Sequence, residues 1–167
     1  MPPLAELERE WRALEALSRS SFFVSWAWIG NLLAAIPEPS RPMLLRGRTR
    51  GETVALAVLG SAVTQRRYGL IRSRGLYLNE TGEPRFDALT IEHNGILCPA
   101  GCEEAVVDAL LCWFAELRGE ADELYLSGSL LRLPEAMLAE HRLSRNEIVK
   151  PSYLVDLGRL AASGGAA

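Results

Sequence analysis

Glu92, His93 and Asn94 form a run of proton-handling and hydrogen-bonding side chains, followed at once by Gly95. The run falls near the end of a strand-like segment, Ala88 to Leu97, and functional groups are often carried where a strand gives way to a loop. Glu92 or His93 placed there would serve as a general base. A turn histidine held by a hydrogen bond is the commoner occupant of such a position, and both readings stand on the sequence alone. Cys98 and Cys102 lie near enough to join His93 as metal ligands. However, the Cys-x-x-x-Cys spacing has no second pair to complete four ligands. The zinc-deaminase pattern runs His-x-Glu and Pro-Cys-x-x-Cys, whereas here Glu92 precedes His93 and Pro99 follows Cys98. No metal is expected, and the cysteines read as free thiols. His141 follows a predicted short helix and reads as its C-terminal cap. There is no Gly-x-Ser-x-Gly elbow to present a nucleophile.

Phosphate binding needs main-chain amides that converge at a helix start. Neither a Gly-x-Gly-x-x-Gly run nor a Walker loop is present. Arg72-Ser73-Arg74-Gly75-Leu76-Tyr77 approaches the Arg/Gln-x-x-Gly-x-Gly/Ala run that holds a coenzyme pyrophosphate, but Tyr77 occupies the last small position. Arg66-Arg67-Tyr68-Gly69-Leu70-Ile71 fails the same way at Ile71. No helical pattern comes after either run, so no coenzyme site of this kind is expected. Arg72, Arg74 and Asn94 remain candidates for contacting a substrate.

The elements that must position these groups follow from hydrophobic periodicity. Leu4, Leu7, Trp11, Leu14 and Leu17 recur at helical spacing, which predicts an amphipathic first helix. Residues 25–36 read as a second helix, with Ser20 or Ser21 placed to cap its start and Pro37 and Pro39 to stop it. Next come a short strand (PMLLRGRTR), a turn at residues 49–52 and an almost wholly apolar strand (TVALAVLGSAV). Together they predict a β-hairpin whose second strand lies inside the sheet. Residues 67–78 read as a strand or an irregular pair. Glu103 to Leu117 reads as a helix with Val106, Ala109, Leu110, Trp113 and Leu117 on its buried stripe. ELYLSG predicts a strand, LPEAMLAEH a short helix, and NEIVKPSYLVDL one or two last strands. Helices, then a hairpin, then alternating strands and helices make an α/β fold with a mixed sheet.

With 167 residues, of which 49% are hydrophobic and 23% charged, the chain suits one globular domain and excludes disorder, collagen and coiled coil. Its net charge of −3 is too mild to make nucleic acid or an anionic membrane the main partner. Locally the charge is polarised. Residues 41–74 carry eight arginines against Glu52 alone, while residues 75–124 carry eleven acids against Arg85 and Arg118. Arg46, Arg48 and Arg50 alternate along a strand and should share one exposed face. The basic stretch is either solvated surface or a patch for an anionic ligand; the lack of interleaved aromatic residues argues against nucleic acid. The apolar stretch Phe22–Ile36 is too short to span a membrane. With no signal peptide and an odd number of cysteines, the expectation is a cytoplasmic protein, in which the Asn79-Glu80-Thr81 sequon is idle.

Several segments together resemble the CelD-like acyltransferases of bacterial polysaccharide biosynthesis, a family of the GNAT superfamily. They are residues 11–18 (WRALEALS), 22–28 (FFVSWAW), the hairpin at 43–63, 78–82 (LNETG), 90–95 (TIEHNG) and 152–157 (SYLVDL). The resemblance implies a GNAT-like central mixed β-sheet flanked by helices, spanning residues 1–158, with a flexible small-residue tail at 159–167. It implies the degenerate N-terminal half of a tandem GNAT arrangement, since the coenzyme run is lacking and such relatives continue well past the position of Leu157. The complete protein would use acetyl-CoA or another acyl-CoA to acylate an amine or hydroxyl on a cell-envelope or polysaccharide precursor. This half would contribute to binding the small-molecule or saccharide acceptor and would bind no coenzyme alone. Its partner would be the second GNAT-like half or another copy of itself. The family's catalytic residues would lie in that second half, so none is carried onto this chain. The alternative is a non-enzymatic binding or scaffold domain that uses the basic patch at 41–74.

Overall fold

Leu7, Trp11 and Leu14 line the buried side of helix α1 (Leu4–Glu15), as the periodicity predicts, whereas Leu17 lies past its end and is 63% exposed. The computed structural model describes residues 1–88, 91–129 and 131–149. After a single 3₁₀ turn at Phe22–Val24, helix α2 (Trp26–Ala35) is capped by Ser25 rather than by Ser20 or Ser21. The Ser25 hydroxyl accepts from the Trp28 amide at 3.4 Å, and the Glu15 carboxylate takes the Trp26 amide at 3.1 Å. The acid at the end of α1 thus meets the positive end of the α2 dipole. The indole N–H of Trp11 donates to the Val24 carbonyl at 2.9 Å and ties the two helices through their connection.

Strands β1 (Met43–Thr49), β2 (Glu52–Arg66), β3 (Ile71–Leu78) and β4 (Glu123–Tyr125) make one mixed sheet in that order. The first two pairings are antiparallel and the last is parallel. Arg50 and Gly51, at φ 50° and 87°, supply the two left-handed residues that a two-residue hairpin turn requires. A second 3₁₀ turn at Glu38–Ser40 and helices α3 (Glu103–Glu116) and α4 (Glu135–Glu140) complete the described elements.

The alternation of side chains along β2 divides the core between two faces. Leu56 and Val58 pack with Leu97 against α1 and α2. Ala57 and Leu59 face the other way with Leu78, against Trp113 of α3 and Leu124, Leu126 and Leu131. Leu138 of α4 in turn covers Val107 and Leu111 of α3. The architecture is therefore α/β, with helices on both faces of a four-stranded mixed sheet.

Four further expectations need correction. The buried stripe of α3 is Val107, Leu110 and Leu111, with Ala109 exposed, because the helix is wedged between the sheet and α4 rather than laid flat on one of them. Arg46 does not share an exposed face with Arg48 and Arg50. It turns under α1, where its guanidinium donates to Glu10 at 2.6 Å, and the β1 register slips between Gly47 and Arg48. Ala88 to Leu97 forms no strand among its described residues, and pairs only through single bridges at Asn94 and Leu97. Residues 146–149 form none either. The segment 152–157, the domain limit at 158 and the tail at 159–167 lie outside the described residues, as does Thr90.

Candidate functional site

Past the ends of two neighbouring parallel strands, an α/β sheet leaves the crevice where ligands usually bind. Here β3 and β4 are the parallel pair, and the chain fills that crevice with itself. On leaving β3, Asn79 keeps one more bond to β2, donating its amide to the Val58 carbonyl at 2.7 Å. The chain then departs and returns at Asn94 along the same lane, so that Leu97 exchanges two 2.9 Å bonds with Leu56 of β2. The described residues between 80 and 93 are thus an excursion from the sheet, pinched at its base.

Two asparagines make the pinch. The Asn79 side-chain amide donates to the Asn94 Oδ1 at 2.8 Å and to the Gly95 carbonyl at 2.7 Å, and its own Oδ1 accepts from the Val58 amide at 3.0 Å. Asn94 donates to the carbonyls of Leu78 at 2.8 Å and Ser127 at 3.1 Å, one at the end of β3 and the other just past β4. It also accepts from the Gly95 amide. Both residues are buried, at 0% and 2% exposure. Every polar atom of the Asn94 side chain is engaged with this chain, so it holds the strand ends rather than reaching for a substrate.

Within the excursion, main-chain amides do converge. The Thr81 and Gly82 amides point at one spot, and the Asp87 carboxylate occupies it at 2.9 and 2.7 Å, taking the Thr81 hydroxyl as well. The nearest thing to an anion nest is filled by an internal anion. Gly60 of β2 lets the excursion lie on the sheet, since a Cβ there would meet the backbone of Glu80 and Thr81. A cleft of about 40 Å³ remains between the excursion and α2, lined by Trp28, Leu32, Glu80, Phe86, Asp87 and Ile91 among others. That space admits a hydroxyl or amine group and not a coenzyme.

Chemically the cleft combines aromatic walls with carboxylates. The buried Nε1 of Trp28 has no hydrogen-bond partner among the described residues. Burial pushes the Glu80 carboxyl above its usual range, and the Asp87 charge adds to this against a hydrogen bond with Ser127. Raised in the folded state, the group favours folding when protonated, and that contribution is lost as pH rises through its folded pKa. Glu80→Gln is therefore expected to raise the melting temperature at pH 7. The gain should vanish below about pH 4, where an unfolded glutamate is itself protonated. Paired melts across pH 3–8 check this.

The other candidates lie apart from this cleft. Glu92 and His93 are exposed and make no side-chain hydrogen bond to a described residue. His93 has a left-handed backbone, φ 53°, and its carbonyl accepts from the Ser21 hydroxyl at 2.7 Å. Arg72 and Arg74 stand on the opposite face of the sheet, both exposed. Arg74 pairs with Asp122 at 3.6 Å and donates to the Gly119 carbonyl. No family model, curated protein or solved structure matches the chain. The cysteines are free, and burial with the nearby Glu103 charge pushes the Cys98 thiol up to about 11, far from a ligating thiolate. Among the described residues no three His, Cys, Asp or Glu side chains come together as a metal site. His141 caps α4, as expected, and its Nε2 lies 2.8 Å from Asp108 of α3. Among the described residues no helix is long and apolar enough to cross a membrane.

Glu80, Asp87 and Trp28 are not recognisable as site residues from sequence. The Asn79-Glu80-Thr81 run reads there as a turn and a sequon. Only the left-handed φ of 54° at Asn79, which the Asn side chain tolerates, turns the chain back over Gly60.

Much of the basic stretch is neutralised at home. Arg46 pairs with Glu10, Arg66 with Glu123 and Arg74 with Asp122. A patch spread over 41–74 is thereby reduced to its unpaired members.

Proposed function

We propose that this chain is the acceptor-binding, donor-free half of a tandem GNAT-like acyltransferase of the CelD-like kind, acting on a cell-envelope or polysaccharide precursor. The acyl donor, acetyl-CoA or another acyl-CoA, would be held by a second GNAT-like half. The observation that carries this reading is the closed crevice between β3 and β4. The lane in which a ligand would lie is taken by Asn79 and residues 94–97, and the convergent amides by Asp87. The first turn of α3 adds to it. Glu103 and Glu104 stand where a diphosphate would need positive potential.

The acceptor side of the reading rests on the cleft beside α2. In this reading a hydroxyl or amine entering it would donate to Glu80 and would take as its donor the buried, unpartnered indole N–H of the lining residue Trp28. Trp28 supplies an aromatic wall, while the Phe86 ring is covered on one side by the Arg85 guanidinium at 4.4 Å.

Thermal-shift titration separates the two halves of the proposal, because a ligand that binds only the native state stabilises it by RT ln(1 + [L]/Kd). Acetyl-CoA should leave the melting temperature unchanged at millimolar concentration. A panel of amino sugars and sugar nucleotides should contain members that raise it, with the rise lost in Trp28→Phe. Stabilisation by acetyl-CoA would overturn the donor-free assignment, and a silent panel would overturn the acceptor one.

A further inference from the structure

The β2–β3 hairpin projects beyond the helical layers. Past Gly60 the face of β2 that carries Ser61, Val63 and Gln65 is exposed, and so are Arg72 and Arg74 beside them on β3. At the tip the loop of residues 67–70 holds three left-handed residues in a row, Arg67, Tyr68 and Gly69. This conformation turns side chains outward instead of folding them back. Tyr68 is 108% exposed, Leu70 86%, and Ile71 and Val63 about half. Such a concentration of large apolar side chains in water is unusual and marks a contact surface.

The hairpin's own charges are of one sign. Residues 63–74 contain four arginines and no acid. Arg66 and Arg74 are drawn back to Glu123 and Asp122, at the base of the hairpin. Arg67 and Arg72 carry no ion pair among the described residues and flank the apolar tip. The tip is convex and narrow, which decides what it suits. An aromatic side chain buries roughly 150–250 Å². Even if Leu70 and Ile71 are counted at that size, three side chains fall short of the roughly 800 Å² per partner that a stable protein contact needs. A bilayer surface needs no complementary shape. It takes Leu and Ile at the acyl boundary, Tyr at headgroup level, and arginines whose stems lie along the apolar layer while their heads stay at the phosphates.

We propose that the β2–β3 hairpin tip is a peripheral membrane contact, in which Tyr68, Leu70 and Ile71 enter the interface of an anionic bilayer and Arg67 and Arg72 bind its phosphates. The proposal is independent of the acyltransferase reading, since it uses none of the residues of the cleft.

Co-sedimentation of the full chain with vesicles tests it. Vesicles of phosphatidylcholine containing one quarter phosphatidylglycerol should pellet the protein at low salt, and pure phosphatidylcholine vesicles should do so much more weakly. The exposed double variant Tyr68→Ser/Leu70→Ser should lose about tenfold in partitioning. Arg67→Gln/Arg72→Gln should lose about fivefold for each arginine on the anionic vesicles alone. Unchanged melting curves would show that both variants remain folded. No pelleting of the parent chain with anionic vesicles would overturn the proposal, as would equal pelleting of the Tyr68→Ser/Leu70→Ser variant. So would self-association of the parent that this variant abolishes, which would make the tip a contact between copies.

Discussion

Asn94→Ala is expected to cost about 4 kcal/mol of folding stability, out of a total of roughly 5–15 kcal/mol for an ordinary domain. The cost comes from the groups that truncation leaves behind. The carbonyls of Leu78 and Ser127, the Gly95 amide and the side-chain amide of Asn79 each lose a partner at a site that is 2% exposed. A buried group left unpaired costs about 1–3 kcal/mol, and some of the four will find water through the opened gap. Asn94→Asp separates the hydrogen-bond account from loss of volume. It keeps the oxygen that accepts from Asn79 and Gly95, but turns a second oxygen on two carbonyls. At neutral pH it should be at least as damaging as alanine. Burial would raise the introduced carboxyl's pKa, and the protonated form can donate to one of the carbonyls. Its deficit should therefore shrink as pH falls and grow as pH rises, a sign opposite to ordinary acid denaturation. Chemical denaturation at several pH values reads both variants. An Asn94→Ala chain within about 0.5 kcal/mol of the parent would mean that the asparagines do not hold the crevice shut.

The same residue shows where the sequence was and was not legible. The local elements come from pattern. The stripe of Leu7, Trp11 and Leu14 and the apolar run of β2 are written in periods of 3.6 and in a two-sided burial that only an interior strand explains. The turn at Arg50-Gly51 is equally local, being fixed by backbone handedness. Asn94 is different. Its meaning depends on Asn79, Leu78 and Ser127, which no period links to it, and in sequence it stands beside Glu92 and His93 as though part of a catalytic run. Folding separates them, turning Glu92 and His93 to solvent and Asn94 inward. Arg46 departs from the alternation for a related reason. Alternation along β1 was legible, but whether the even side faced water or α1 was set by the Glu10 carboxylate, 36 residues away. Glu10 itself illustrates the balance: burial works to raise its carboxyl, yet Thr53 and Arg46 together hold it below the usual range. The acidic cleft stayed hidden because it exists only when the excursion lies on Gly60.

Gly60→Ala is expected to be the most damaging single methyl group that can be added to the sheet. Gly60 sits in the middle of β2, paired with Tyr77, so its need for glycine is not the conformational one met at a turn. The reason is space: an added Cβ would run into the Glu80 and Thr81 backbone, which cannot swing aside as the end of a side chain can. Either β2 shifts against β1 and β3 or the excursion lifts. Lifting is the cheaper, since the Asp87 bonds to Thr81 and Gly82 lie within the excursion and survive it. Overpacking of this kind costs roughly 3 kcal/mol. Gly51→Ala is the control that isolates the cause. It imposes a left-handed alanine at φ 87° with nothing within 4 Å of the new methyl, and should cost about 1–2 kcal/mol with no effect at a distance. The two therefore differ in kind as well as size. Gly60→Ala should expose the chain around Arg85 to trypsin and abolish any stabilisation by an acceptor sugar, because lifting the excursion carries Glu80 away from Trp28. Gly51→Ala should do neither. Equal melts for the two variants, or a tryptic pattern unchanged in Gly60→Ala, would show that the excursion does not depend on its seat over β2, and the cleft could then no longer be treated as a built site.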